Sequence, residues 1–507
     1  MAACWAGISA ARTGAKVVLV DKGYVGTSGV TATAGPGHWW VSPEGDARKQ
    51  AIDKRLAMAG GLADPNWMER IIETTWRVLP TLSKYYRFSV NDKGDTVYNA
   101  VRGPEYLRAL RHAALDAGVI IVDQSPVLEL LLHDDGSVAG VNGVQRQQGR
   151  AYTARAGAVV LATGGAGFLS GLLGSSTNTG DGHLMAIEAG AELSGMEFSN
   201  QYSISPSWNS TRTLIYSWAR YFDEAGNELD VLPTNDVLER ALIKGKVFAL
   251  LNECPDGLRK ALPQIQPMTL LPFVRKGITD VYEKPFEVKL FAEGTIRGTG
   301  GLRIVGEQCE TTIPGLFAAG DTATRELITG AISGGGSPNS AWALTSGLLS
   351  GAGAAALARS KGRRVDGPVH AQGTVGLRPR SNAKIVDRRS VLKAAQDEIL
   401  PLEKNVFRSA PKLKNSLAIL ESAWGELRDH DHAEGADAVI ARETASVVAT
   451  ARLSYAAALA RDESRGMHER EDAPAQKPDQ ARRLLIGGLD DVWTRPEAVA
   501  QWRPTHV

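Results

Sequence analysis

The chain opens on a run that leaves few folds available to it. Ala2-Ala3-Cys4-Trp5-Ala6-Gly7-Ile8-Ser9-Ala10-Ala11-Arg12-Thr13-Gly14 reads as a small-residue helix stopped by a glycine. Ala15-Lys16-Val17-Val18-Leu19-Val20-Asp21 follows as a buried strand closed by an acid. Small side chains let a helix pack closely on a sheet, and an acid at a strand end can accept hydrogen bonds from ribose hydroxyls. Ala3 stands where the third glycine of a G-x-G-x-x-G/A fingerprint would sit, and Asp21 follows at the spacing that fingerprint requires. This is the second half of a dinucleotide-binding βαβ unit. The first strand and its Gly-x-Gly turn do not precede Met1, and a start codon placed too late is the expected reason.

Further along, Tyr106 to Ala117 has amphipathic helical spacing and Gly118-Val119-Ile120-Ile121-Val122 reads as a strand. Val127–Leu132 and Val138–Val141 alternate around Asp134-Asp135-Gly136, a hairpin signal. Ala158-Val159-Val160-Leu161-Ala162-Thr163-Gly164-Gly165 is a second buried strand running into a glycine turn, and Gly315-Leu316-Phe317-Ala318-Ala319-Gly320-Asp321 is a third. Between them, from about Trp208 to Glu293, the pattern is irregular and charged, as an inserted domain would be. A long small-residue helix over roughly Ser340 to Ser360 reads as a packed core helix. Lys361 to Lys384 is basic and contains Gly and Pro, as a linker would. Beyond it, Leu417, Leu420, Trp424 and Leu427, and then Val448, Ala451, Tyr455 and Leu459, keep helical spacing.

Composition narrows the function classes. A chain of 507 residues exceeds one core. Its 57 Lys plus Arg balance 56 Asp plus Glu, which leaves no basic footprint for nucleic acid. Cys4, Cys254 and Cys309 are too far apart for a disulfide framework, a zinc site or an iron–sulfur cluster held by this chain alone. No metal site is expected. A reducing, cytoplasmic compartment is expected, with no integral membrane segment.

These pieces together resemble the flavoprotein subunits of the succinate dehydrogenase/fumarate reductase family, which includes L-aspartate oxidase and adenylylsulfate reductase. The resemblance runs over nearly the whole chain. It rests on Val18-Leu19-Val20-Asp21-Lys22-Gly23, Ser28-Gly29-Val30-Thr31-Ala32-Thr33-Ala34-Gly35 and Ala162-Thr163-Gly164-Gly165. It continues through Thr179-Gly180-Asp181-Gly182, Met196-Glu197-Phe198, Ala318-Ala319-Gly320-Asp321, Asn339-Ser340 and Glu463-Ser464-Arg465-Gly466-Met467-His468. The fold it implies is α/β. A Rossmann-like FAD-binding domain, incomplete at its N-terminus, occupies 1–207 and 294–360 and carries an inserted α+β capping domain at 208–293. A linker at 361–384 leads to a C-terminal helical domain at 385–507.

The resemblance also implies cofactor contacts. Ala3 lies at the pyrophosphate turn, Asp21 accepts from the adenosine ribose, and Lys22 flanks it. Val127 meets the adenine edge through its main chain. Ala162, Thr163 and Gly164 bring bare backbone to the pyrophosphate and ribose. Gly320 and Asp321 meet the ribityl chain, and Ser28, Thr31 and Thr33 meet the isoalloxazine rim. Asp181 stands at a cofactor-side position, and the amides of Asn339, Ser340 and Ala341 open a helix whose positive end suits a reduced flavin. The membrane-bound members attach FAD through a histidine that here aligns with Val30, so a noncovalent FAD is implied. Trp39 and Trp40 could wall a pocket or fill a core. Arg465 and His468 read as structural bonds across to the flavin or capping domain.

The substrate side departs from the family. No His-Pro-Thr-Gly follows Met196-Glu197-Phe198, and Ile215 stands where the arginine of an Arg-Gly-Glu-Gly-Gly segment belongs. Ile296-Arg297-Gly298-Thr299-Gly300-Gly301 has lost a histidine, and the arginine before Asn-Ser is replaced within Gly334-Gly335-Gly336-Ser337-Pro338. A guanidinium forks onto a carboxylate, so its loss is hard to repair. The pattern is closest to the adenylylsulfate reductase α-subunit branch, which works with a separate ferredoxin-like iron–sulfur partner. Arg220, Arg297 and Arg303 are the candidates to hold an anionic small-molecule substrate or to relay a proton. The expected activity is a soluble FAD-dependent oxidoreductase exchanging a hydride with flavin N5 and passing electrons to such a partner. The alternatives are a dicarboxylate or amino-acid oxidase using dioxygen, and a truncated chain unable to hold FAD.

Overall fold

The computed structural model describes residues 1–91, 93–211, 214–231, 236–362 and 367–498, apart from the side chains of residues 214, 264, 265 and 267. Parts of the expected linker (363–366), capping domain (212–213 and 232–235) and C-terminal domain (499–507) lie outside the described residues.

In chain order the flavin-side part holds α1 (Ala2–Arg12), β1 (Val18–Val20), α2 (Ala47–Met58), α3 (Pro65–Val78), α4 (Gly103–Asp116) and β2 (Ile120–Val122). Then come β3 (Val127–Leu132), β4 (Val138–Gln145), β5 (Arg150–Arg155), β6 (Val159–Leu161), α5 (Asp181–Glu188) and β7 (Leu193–Ser194). β1 pairs in parallel with β2, Val18 opposite Ile120. The hairpin β3–β4 extends through β5 as an antiparallel sheet.

The inserted part is a five-stranded antiparallel sheet. Its strands are β8 (Gln201–Pro206), β9 (Arg220–Asp223), β10 (Glu228–Leu229), β11 (Val247–Leu250) and β12 (Phe286–Gly294), in the order β8-β12-β11-β9-β10. Helix α6 (Asp236–Lys244) and the helices Asp256–Ile265 and Pro267–Arg275 join them. Phe273, Phe286, Val247, Leu238 and Tyr221 form its own core. This sheet takes in β8, ahead of the boundary expected at 208. The sequence pattern there resembles the flavin domain because Tyr202 and Ser203 continue the Met196–Asn200 motif.

After the insertion come β13 (Gly301–Leu302), β14 (Leu316–Ala318) and the long helix α7 (Ser337–Lys361). β14 pairs in parallel with β6, Leu316 opposite Val159. α7 is long and apolar enough to cross a membrane by length and composition. It lies against α1, where Gly347 and Gly351 bring its backbone within van der Waals reach of Ala2 and Ala6. A Cβ at Gly351 would lie 2.2 Å from the Ala6 carbonyl. Small residues at that crossing let the two backbones touch.

β15 (His370–Ala371) adds to β3, so the segment expected as a linker is tied into the flavin-side sheet. The C-terminal part holds α8 (Arg388–Ile399), α9 (Ala410–His430) and α10 (Asp437–Ala460), packed around Trp424, Leu413, Leu420 and Tyr455. Finally β16 (Leu484–Gly487) and β17 (Trp493–Pro496) return to the flavin side, where β16 pairs with β7. The C-terminal part expected to be helical thus carries these two strands besides its helices. Its end completes a sheet, because Leu485 and Ile486 are buried in the common core.

Candidate active site

The C-terminal ends of the parallel strands β1, β6 and β14, together with the N-terminal end of α7, are the kind of place where open α/β sheets bind ligands. At the end of β1, Asp21 Oδ1 accepts the Gly23 N–H at 2.7 Å. Its neighbour Lys22 is nearly buried and ion-paired to Asp181 Oδ2 at 2.6 Å and to Glu443 Oε1, on α10, at 2.9 Å. It also donates to Thr179 Oγ1 at 2.9 Å. Burial pulls the Lys22 ammonium down, but the two carboxylates outweigh it and hold the group above its ordinary value. Lys22 and Asp181 are thus bound to each other, which ties the β1 end to the start of α5.

At the end of β6, Ala162 and Gly164 are half-buried and Thr163 is exposed. Gly164 takes a left-handed turn at φ +80° that a side chain would strain. Thr163 Oγ1 lies 3.2 Å from Thr322 Oγ1, so the β6 and β14 ends meet. Ser28 Oγ accepts the Tyr24 N–H at 2.7 Å. Thr31 and Thr33 sit in the helical turn Val30–Thr33, and Thr33 Oγ1 donates to Leu173 O at 3.2 Å. Val127 begins β3 beside Gly143, half-buried.

The centre of the region is a residue that no sequence motif singles out. Arg325 is fully buried, and its Nη1 donates to Asp321 Oδ1 at 2.9 Å, Asn339 Oδ1 at 2.9 Å and Ile296 O at 2.7 Å. Its Nη2 donates to the carbonyls of Thr295 and Gly298. Desolvation lowers its pKa, against the pull of Asp321 and Glu293. One guanidinium thereby fixes the end of β14, the first turn of α7 and the loop after β12. An arginine four residues after a motif aspartate is the signal that could have found it. Ser340 and Ala341 are buried in that first turn, and the Asn339 N–H turns back to Gly336 O at 3.1 Å.

The catalytic candidates separate. Arg297 belongs to the region. It is one-third exposed, 3.4 Å from the buried Glu293, and its side chain lies across Gly335, where a Cβ would come within 2.9 Å of its Cδ. Arg220 and Arg303 are not brought there. Arg220 is committed to Glu228 on the outer strands of the inserted sheet, with Nε 2.7 Å from Oε1. Arg303 bridges Glu192 at 2.6 Å and Glu497 at 2.9 Å. Both are corrected as catalytic candidates, since carboxylates in their own layers occupy them.

The aromatic and histidine candidates resolve as packing. Trp40 stacks on Trp76 at 4.3 Å, and Trp39 packs on the main core. His38, pushed down to about 3 by burial, contacts the Tyr106 hydroxyl at 3.3 Å and is neutral at working pH. Arg465 does cross to the flavin side, donating to Gly60 O. His468 instead keeps its bonds inside the C-terminal part, to Arg408 at 2.8 Å and Arg461 O at 3.0 Å.

Residues 1–215 match a family described as an FAD binding domain, and residues 396–496 match the fumarate reductase flavoprotein C-terminal family. A fumarate reductase (CoM/CoB) subunit of Methanothermobacter marburgensis is 26% identical, covering 96% of this chain and 95% of that one. L-aspartate oxidase of Mycobacterium tuberculosis is also 26% identical, over 96% and 93%. Among solved structures, E. coli quinol fumarate reductase superposes with a TM-score of 0.79 at 21% identity, covering 100% of this chain and 96% of that one. Adenylylsulfate reductase of Archaeoglobus fulgidus gives 0.74 at 17%, over 99% and 95%. These last two likenesses are of fold.

The residues present fit an FAD. The N-terminal turn of α1, with Ala2 and Ala3, rests against Gly320, where a Cβ would lie 2.9 Å from the Ala2 Cβ. A helix N-terminus is there beside side-chain-free main chain at Gly164 and Gly320, which suits a pyrophosphate. Asp21 and Asp321 stand at the ends of two parallel strand pairs. The chain carries an FAD binding domain and a fumarate reductase flavoprotein C-terminal domain, and it is an FAD-dependent oxidoreductase.

Proposed function

We propose that this chain exchanges a hydride between a small-molecule substrate and N5 of a noncovalently held FAD, and passes the electrons to a ferredoxin-like iron–sulfur protein. The observation that carries this reading is Arg297 lying across Gly335. Gly335 belongs to the segment from which the family's substrate arginine is missing, and a guanidinium from the neighbouring loop fills the space beside it. When bound, FAD supplies two-electron hydride chemistry. The chain's own residues bind and orient. Asp21 meets the adenosine ribose, Val127 the adenine edge, and Ala162–Gly164 the pyrophosphate. Arg325 holds Asp321 and Asn339 in register so that ribityl chain and ring are presented at one fixed depth.

The substrate enters between the flavin side and the inserted sheet. Gln266, from the helices of the insertion, closes one flank of this cleft by lying against Gly35, where a Cβ would meet its Nε2 at 2.6 Å. With Ile215 and Ile296 in place of polar groups, the cleft suits something other than a four-carbon diacid. Val30 supports noncovalent attachment. Acid precipitation should leave the pellet white and the supernatant yellow, and a yellow pellet would contradict this.

A second reading, an oxidase that returns electrons to dioxygen, is favoured by the L-aspartate oxidases among the relatives. Anaerobic reduction followed by mixing with oxygenated buffer separates the two. Slow reoxidation by oxygen and fast reoxidation by an iron–sulfur protein support the dehydrogenase reading, and the reverse order sinks it. A protein that stays colourless after soaking with FAD would favour an inactive chain.

A further inference from the structure

We propose that Tyr106 is a redox-active tyrosine, with His38 as its proton acceptor, and that it passes oxidising equivalents from the flavin side along a file of aromatic rings to the surface. This activity is separate from the hydride chemistry above and involves other residues.

Three polar rings meet in the apolar layer between α1 and α4. Trp5 on α1 and Tyr106 on α4 are fully buried, in one cluster with Ile8, Leu107 and Leu110. The Trp5 Nε1–H donates to the Tyr106 hydroxyl at 3.1 Å, and Nε2 of the buried His38 lies 3.3 Å from the same oxygen, its ring edge-on to the phenol. An indole N–H can only donate. The hydroxyl oxygen therefore accepts from Trp5, and its own hydrogen is left to point at Nε2. Packing alone does not call for this arrangement, because Nδ1 of His38 is shielded from solvent without a partner, a loss that an apolar side chain would avoid. Burial pushes the Tyr106 phenol up and the His38 imidazole down, so the phenol keeps its proton until an electron leaves. The trio borders α7. A Cβ at Gly347 would lie 2.9 Å from the Trp5 Cβ, and the N–H of Trp39, next to His38, bonds Ser337 O at 3.1 Å in the first turn of that helix.

From Tyr106 the rings run outward in close aromatic packing. Tyr86 follows at 6.1 Å between centroids, then Phe88, Tyr98 and Trp40 at 4.8 Å each, and Trp76 stacked on Trp40 at 4.3 Å. Tyr86 and Phe88 are buried, whereas Tyr98, Trp40 and Trp76 are half-buried. Phe88 bridges its two tyrosines without being oxidised itself. The oxidant is an oxygen-derived radical, the class that arises where a reduced flavin meets dioxygen. Tyr106 gives it one electron and gives the hydroxyl proton to Nε2 of His38, which leaves a neutral phenoxyl radical, an imidazolium and the oxidant reduced by one electron. An electron from Trp40, relayed through Tyr98 and Tyr86, refills the phenoxyl as the proton returns from His38. The Trp40 radical cation loses its indole proton to water and then takes a hydrogen atom from a thiol in solution, whose thiyl radicals pair to a disulfide.

The test is pulse radiolysis of the full chain with the azide radical, which oxidises tryptophan, followed by optical and EPR detection. A tryptophanyl signal is expected to decay into a tyrosyl signal at a rate independent of protein concentration. Tyr106→Phe, which keeps the ring and its packing, should lower the tyrosyl yield at least fivefold. Trp40→Phe, at the half-buried end of the file, should slow tyrosyl growth by a similar factor, so the proposal is still decided if the core variant does not fold. His38→Leu should slow growth at least tenfold and remove the further slowing seen in heavy water. Tyr455→Phe, a buried tyrosine outside the file, should change none of these. An unaltered tyrosyl yield in Tyr106→Phe overturns the proposal, as does unaltered growth in Trp40→Phe or an undiminished heavy-water effect in His38→Leu. Decay that scales with protein concentration in the unaltered protein overturns it too. The readout needs no bound flavin, so a colourless preparation counts against the oxidoreductase reading alone.

Discussion

Arg325 and Asp321 stand four residues apart, and the guanidinium of the first bonds the carboxylate of the second at 2.9 Å while holding Asn339 at the same distance. The strand end and the helix start that should present the flavin are therefore set by one side chain. Replacing Arg325 with Met removes a buried guanidinium from Asp321 and from the carbonyls of Thr295, Ile296 and Gly298. The expected cost is about 3–5 kcal/mol, the range for breaking a buried charged pair. Flavin content per chain should fall together with the melting temperature, and a variant that melts early but keeps full flavin would show that the hub serves the fold alone.

Lys22 joins β1, α5 and α10 through Asp181 and Glu443. Lys22→Met leaves two nearly buried carboxylates facing each other, with an expected loss on the order of 3 kcal/mol. The folded-state pKa of Lys22 is raised, so its stabilisation is complete below the unfolded value and disappears only as pH climbs through the folded one. Denaturant titrations of wild type and variant should differ by a constant amount from pH 6 to 9.

Glu326 is fully buried and touches Ser194. Desolvation first, and the charge of Glu197 second, push it up to about 8. Its folded pKa lies above its unfolded one, so its contribution is fully favourable below the unfolded value and is lost as pH rises toward 8. Glu326→Gln mimics the protonated form. The variant should gain on wild type between about pH 5 and 8, by a few kcal/mol at the upper end, and hold that gain at higher pH. Melting curves across this range check it, and parallel profiles would refute the assignment.

Arg297→Gln should cut substrate-dependent bleaching at least tenfold while leaving the protein as yellow as wild type. Arg220→Gln should change neither quantity, because Glu228 already occupies that guanidinium at the outer strands. Equal losses in the two variants would remove the reason for placing Arg297 at the substrate.

The cofactor side of this molecule was legible in sequence because it depends on main chain. Gly164 and Gly320 are there for their backbone geometry, and a glycine after a buried strand announces itself. Asp21 and Asp321 were legible for a similar reason, since each follows a strand of apolar residues. Arg325 was missed because its one local mark is its spacing four residues after Asp321, while its other acceptors come from two separate stretches of chain. The same limit misled the assignments of Arg220 and Arg303, whose partners Glu228, Glu192 and Glu497 are set by sheet pairing. Gln201–Pro206 joined the inserted sheet although its sequence continued a flavin-side motif, since pairing with Phe286–Gly294 outweighs local pattern.

The contact of Lys22 with Glu443 also imposes an order on biogenesis. The lysine leaves the ribosome early and its second carboxylate arrives only after most of the polypeptide has been made. Until then the end of β1 lacks its distal anchor. That corner of the fold is therefore closed only on the finished translation product.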